Sequence, residues 1–323
     1  MGGPNNALNV YMNRSDRIKS VLEYYLGKKL PEDWRCEEVR GFYTIRNRKG
    51  KLSFRQRDFC GKAHAWGRNF RLGIENQESI NLIYPWRLME LDSLTYGTEI
   101  EEIQEKNKQE DVHYGIEDDF KYHYRKGDRL EPILNLTLYW GRRKWDKPLS
   151  VGDMADMDTL PEELRQLFED YKIHLIPMRS IPEPELEKMD SDLKYVLGLM
   201  KRTSSKKKYT EYIQKNRAYF SRIPKSAVDV IDACTNIKNI REHLQFRDAQ
   251  DTQSGEEEAD MCYALDAIIK DAEKKGKRQG ARQGIDRTNR LVQLLLTDGR
   301  QADLLKSTTD TLFQQKLFRE YHI

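Results

Sequence analysis

Between Gly41 and Ile176 the apolar residues switch repeatedly between a spacing of two and a spacing of three to four, which leaves few architectures open. Gly41–Arg46 and Leu52–Arg57 flank Asn47-Arg48-Lys49-Gly50, where Gly50 can supply a positive φ, so this segment reads as a hairpin with basic tips. Phe70, Leu72 and Ile74 alternate with polar or small neighbours and predict a short strand ending in Glu75. Pro85 suits the first turn of a long helix, where a missing N–H costs nothing. Leu88, Leu91, Leu94, Tyr96, Ile100 and Ile103 give that helix an apolar side. Ile133–Trp140 alternates again. Thr159-Leu160-Pro161-Glu162 carries a capping box that predicts a helix start, and Ile173–Ile176 is a further strand. Strand, helix, strand, helix, strand is the order of an α/β layer fold, with a mixed sheet between helices.

The flanks are helical. Ile18, Val21, Leu22, Tyr25 and Leu26 mark one buried face of a helix over Ser15–Leu26, with Ser15 as N-cap and Gly27 as its stop. Beyond Pro184, helical spacing recurs at Leu193–Met200, Tyr212–Tyr219 and Ala227–Ile240. Asp248–Asp260 is polar and acidic and reads as a linker, and Met261–Ile323 reads as helical throughout. The expected division is a core over 1–190, a helical extension over 191–250, and a linker with a C-terminal helical segment over 251–323. Gly276, Gly280 and Gly284 recur every four residues among charged neighbours. That stripe suits a flexible helical tether or self-association through the C-terminal helices, not a membrane pair.

The longest apolar runs, Ile133–Trp140 and Leu291–Leu296, are far too short to cross a bilayer. Met1-Gly2-Gly3-Pro4 lacks the basic start and apolar core of a secretory signal. The four cysteines form no Cys-x-x-Cys pair, so buried reduced thiols in a cytoplasmic protein are expected. The net charge of +3 conceals a segregation. Arg35–Arg71 holds eleven Lys/Arg against three acids, a balance of +8; Glu90–Asp119 holds eleven acids against two lysines, a balance of −9. Such a division can build a face for polyanions, and equally describes two solvated faces that partly neutralise each other.

One pair of carboxylates stands out. Glu75 ends a predicted strand, and Asp58 follows a hairpin strand seventeen positions earlier. Two carboxylates at the ends of adjacent strands suffice for Mg2+ when a substrate supplies phosphate oxygens. Gln77, two residues after Glu75, shares its face and is positioned to orient an attacking water. Glu102-Ile103-Gln104 has the same spacing but falls on a predicted helix, where the side chains diverge. Asp153, Asp156 and Asp158 lack the glycine and terminal glutamate of a calcium loop, and the six histidines show no ligand spacing. No Gly-rich phosphate loop, serine elbow or P-loop lysine occurs.

Gly73-Ile74-Glu75-Asn76-Gln77, then Pro85-Trp86-Arg87 and Ser93-Leu94-Thr95-Tyr96, then Asp128-Arg129-Leu130-Glu131-Pro132-Ile133 running into Leu138-Tyr139-Trp140-Gly141 and Trp145-Asp146-Lys147-Pro148, together resemble the bacterial recombination-promoting nuclease/putative transposase family, part of the PD-(D/E)xK nuclease superfamily. The resemblance covers nearly the whole chain. It implies a restriction-endonuclease-like mixed sheet flanked by helices, an all-helical C-terminal extension, and a DNA endonuclease that uses Mg2+ (or Mn2+) in recombination or mobile-element biology. Asp58 and Glu75 would hold the metal, and Gln77 stands where the superfamily usually has lysine. Arg87 and Tyr96 match family positions on the following helix. Arg46, Arg48, Lys49 and Arg87 are the candidate DNA contacts. Glu23, nearest to the acid that the superfamily often adds from its first helix, lies on the flank of its helix and is left out of the site. The alternative is a DNA-binding or assembly protein whose core has lost catalysis, because glutamine removes a cation beside the attacking water.

Overall fold

The computed structural model describes residues 4–39, 41–46, 52–110, 114–115, 118, 120–235, 237, 241–252 and 255–323. The chain divides into two compact units, one of residues 1–238 with 246–259 and the other of residues 239–245 with 260–323.

The first unit opens on helices α1 (Pro4–Met12) and α2 (Ser15–Leu26). Helix α2 has the expected bounds and stops at Gly27, whose φ of 66° only glycine adopts cheaply. Ile18, Val21 and Leu22 are buried, whereas Tyr25 and Leu26 are each 42% exposed, so the apolar stripe leaves the core in its last turn. The N-cap is Arg14, not Ser15, and no side chain caps the helix. Strand β1 (Arg35–Glu38) is followed by the hairpin of β2 (Phe42–Arg46) and β3 (Leu52–Gln56), paired Phe42 to Gln56 through Arg46 to Leu52. Its tip, with Arg48, Lys49 and Gly50, lies outside the described residues, as does the side chain of Arg46.

Strands β4 (Phe59–Ala65) and β5 (Arg68–Gln77) pair antiparallel, Phe59 opposite Ile74. Helix α3 (Tyr84–Gln109), with Pro85 in its first turn, returns the chain to β6 (Ile133–Tyr139), which lies parallel to β5 with Glu75 opposite Thr137. A single turn, α4 (Glu162–Arg165), precedes β7 (Leu175–Pro177), parallel to β6. The five-stranded sheet runs β1-β4-β5-β6-β7, mixed in direction and flanked by helices. The helix expected after Thr159 is thus only four residues long, and Thr159 ends a 3-10 turn without capping it.

The expected boundary near 190 falls inside this unit. Helices α5 (Glu183–Glu187), α6 (Leu193–Met200), α7 (Lys206–Lys215) and α8 (Arg217–Phe220) follow; α6 buries Leu193, Val196, Leu197, Leu199 and Met200. Strand β8 (Ile223–Pro224) leads into α9 (Lys225–Cys234), which packs on α1 and α6. The acidic stretch expected as a linker contains β10 (Glu258–Ala259), the central strand between β8 and β9 (Phe246–Arg247). Two buried residues, Glu258 and Ala259, anchor it.

The second unit is helical, as read from its pattern: α10 (Met261–Thr297), α11 (Gln301–Thr309) and α12 (Thr311–Glu320). Its own core joins Leu291 and Leu295 to Leu317 and Phe318. No helix among the described residues is long and apolar enough to cross a membrane. Cys60, Cys234 and Cys262 are buried free thiols and Cys36 is half-buried.

Candidate functional site

Glu75 and Gln77 occupy the last turns of β5's pleat on one face, and Asn76 faces the other way. Asp58 sits just before β4, opposite Glu75 by extension of the Phe59–Ile74 register. Its Oδ2 accepts the Asn76 main-chain N–H at 2.8 Å, and its Oδ1 accepts Asn9 Nδ2 at 2.8 Å. Asp58 therefore closes the end of the β4–β5 ladder. Burial raises its pKa; the two hydrogen bonds and the charge of Arg87 act against that rise.

Glu75 is 1% exposed. Its Oε1 is buried without a hydrogen-bond partner, and the nearest cation is Arg57 Nη1 at 3.9 Å. Burial first, then the negative charge of Asp58, pushes its pKa up to about 8, against the charges of Arg57 and Arg87. A fully buried carboxylate thus feels the charge of a half-buried one, with little water to relieve it. That is the condition a hard divalent cation relieves, and the donor set is all oxygen, as Mg2+ requires. Among the described residues there is no group of three or more potential metal-ligating His, Cys, Asp or Glu side chains. A cation here would complete its shell from water, main chain or substrate.

Sequence reasoning missed the support beneath Glu75. Arg57 is fully buried and lies along the floor made by Gly73, two residues before Glu75 on the same face. Its guanidinium donates to Asn135 Oδ1 at 2.8 Å and to Thr95 Oγ1 at 3.3 Å, and pairs with Asp92. Asp92 also accepts Asn135 Nδ2 at 2.7 Å and the Tyr171 hydroxyl at 2.6 Å. The signal lay in Arg57-Asp58, a cation beside the candidate ligand, but adjacency says nothing of whether the side chain turns inward. Asn9 was missed too. Leu8, Tyr11 and Met12 give α1 a buried face, and Asn9 on that helix links Asp58 to Asn76, whose Nδ2 donates to Asn9 Oδ1 at 3.0 Å. Trp140 Nε1 completes the set by donating to Asn76 Oδ1 at 2.9 Å.

The other candidates divide. Arg87, in the first turns of α3, is half-buried and acts electrostatically on both carboxylates. Tyr96 donates no charge to the pair; its hydroxyl accepts the Ile133 main-chain N–H at 3.1 Å, which is a packing role. Glu23 is held by Lys29 at 2.9 Å and by the Leu30 main-chain N–H, at the turn after α2. A cavity of about 550 Å³ in this unit is lined by Leu22, Trp66, Phe70 and Leu134 and reaches Asp92, Asn135 and Tyr171 of the Arg57 network. None of Asp58, Glu75 and Gln77 lines it.

Comparisons with family models, curated proteins and solved structures yield no match.

Proposed function

We propose that the chain is a metal-dependent DNA endonuclease on a restriction-endonuclease-like core. The observation that carries this reading is the Asp58–Glu75 pair at the ends of adjacent strands, with the Glu75 Oε1 buried and unpartnered. Asp58 and Glu75 would hold Mg2+ or Mn2+. Such an ion supplies charge neutralisation at a phosphate and lowers the pKa of a bound water. The chain's own part is positional. Arg57, pinned between Asp92 and Asn135, holds its positive charge 3.9 Å from Glu75 Oε1, and Asn9 and Asn76 fix the Asp58 carboxylate. Gln77, on the Glu75 face, is placed to accept from and donate to an attacking water. Arg87, on α3, brings a positive charge that acts on both carboxylates and is the candidate phosphate contact. The family resemblance and the basic balance of Arg35–Arg71 point the same way.

The test is cleavage of supercoiled plasmid by the purified protein. Nicking that needs Mg2+ or Mn2+, stops in chelator and is lost in Glu75→Ala, with thermal unfolding nearly unchanged, supports the reading. Cleavage that survives Glu75→Ala puts the chemistry elsewhere. A second reading, a DNA-binding or assembly protein that has lost catalysis, is favoured by Gln77: a missing cation beside the water costs roughly 10²–10³ in rate. Binding without nicking at any metal concentration would select it.

A further inference from the structure

Helix α10 is 37 residues long, and its residues 273–287 are exposed on every side. A helix with nothing to bury, and with three glycines that each cost about 1 kcal/mol, is not held there by packing. Its charge is organised. Lys270, Lys274, Lys277, Arg278 and Arg282 follow the spacing i, i+4, i+7, i+8, i+12, which is one side of a helix. Twelve residues at 1.5 Å each make the stripe roughly 18 Å long. From Lys270 to Arg290 there are eight bases against Asp271, Glu273 and Asp286, a balance of +5. Among the described residues, Lys274, Lys277, Arg278 and Arg282 enter no ion pair.

We propose that this side of α10 is a docking surface for the phosphate backbone of duplex DNA. Charge complementarity selects a polyanion, and three further observations narrow it. Ala281 and Ile285 are the apolar side chains in residues 273–287, too few for the buried face that a helix lying on a lipid surface requires. No aromatic residue occurs between Tyr263 and Phe313, so the stacking platform of a single-strand binder is missing. A polar helix of about 10–12 Å diameter fits the roughly 12 Å major groove of B-form DNA, whereas the A-form groove is too narrow to admit it. The inference adds a DNA-binding surface remote in sequence from Arg35–Arg71 and does not depend on the metal chemistry: a catalytically dead chain would still bind through it.

The experiment is a salt series of fluorescence anisotropy on the full chain with a labelled DNA duplex. Wild type is compared with the triple variant Lys274→Gln, Lys277→Gln, Arg278→Gln, and with the control triple Lys206→Gln, Lys207→Gln, Lys208→Gln, which removes the same charge from α7. Glutamine keeps the helix, because its propensity is close to that of lysine and arginine. The slope of log affinity against log salt should fall by about 0.9 for each phosphate the helix no longer neutralises, so by about 2–3 in the α10 triple, and stay near wild type in the control. Equal slopes, an equal fall in both triples, no DNA binding at all, or tighter binding of the wild type to phosphatidylserine vesicles or duplex RNA would overturn the proposal. Glu75→Ala is run alongside. It should keep the wild-type slope, and if it also keeps cleavage, the metal reading fails while this one stands.

Discussion

Arg57 is the residue on which the candidate site turns, and its surroundings make it testable. A Cβ on Gly73 would overlap Asn135 Oδ1 and come within 2.6 Å of Arg57 Nη1. Neither neighbour is free to yield, since each is bonded to the other and to Asp92. Gly73→Ala should therefore destabilise by about 1–3 kcal/mol, as overpacking does, and lower nicking beyond what the loss of folded protein explains. Thermal unfolding with a matched activity assay checks both; an unchanged melting temperature would mean that the network shifts without cost. Arg57→Ala is harsher. It leaves Asp92 and Glu75 without their buried cation, and breaking such a pair costs about 3–5 kcal/mol. Arg57→Lys should recover part of the stability but little of the activity, because an ammonium cannot reach Asn135 and Asp92 with the same planar fork.

At the scale of elements, α2 is tied to the start of α6 by Arg17 and Asp192. The guanidinium is fully buried and bidentate, at 2.7 Å and 2.9 Å, and Asp192 also accepts the hydroxyls of Tyr11 at 3.2 Å and Tyr219 at 2.9 Å. Burial pushes the Asp192 carboxyl up, but the hydrogen bonds and charge of Arg17 outweigh it and hold the group below its ordinary value of 3.8. A lowered folded pKa contributes stability that is fully present above the unfolded value and lost as pH falls through the folded one. Wild type should therefore lose stability steeply below about pH 4, and Asp192→Asn should flatten that part of the curve while lowering stability at neutral pH. Urea unfolding at a series of pH values reads this directly. If the two curves run parallel, the ion pair contributes nothing to acid unfolding. The same scale shows where periodicity misleads. Tyr25 and Leu26 continue the α2 stripe yet are exposed, while Arg17, a charged residue off the apolar pattern, is the most deeply placed cation of that helix.

For the whole molecule, the division into two units sets the limit for truncation. A chain ending at Gln253 would lose β10, the central strand between β8 and β9, whereas one ending at Asp260 keeps it. The Asp260 truncation should fold with the candidate site intact and keep any metal-dependent activity; the Gln253 truncation should melt at lower temperature. Circular dichroism and plasmid nicking on both would show it, and equal melting would make the small sheet incidental. The run Leu291–Leu296 needs no surface of the first unit, because Leu291 and Leu295 are buried with Leu317 and Phe318 in the helical unit itself. By itself the sequence determined the elements with a regular period: α2 between Ser15 and Gly27, the Phe70–Glu75 part of β5, which the structure extends to Gln77, α3 from its proline, and the helices after Met261. These depend on neighbours a few residues apart, and side-chain spacing records them. Only the tertiary structure decided the rest. That Arg57 turns inward onto Gly73, that Asn9 reaches Asp58 across 49 residues, and that Glu258–Ala259 pair with β8 are contacts between distant segments, and nothing in the local spacing around each names its partner. A long-range partner leaves no periodic trace, so a buried polar network is invisible until the chain has folded around it.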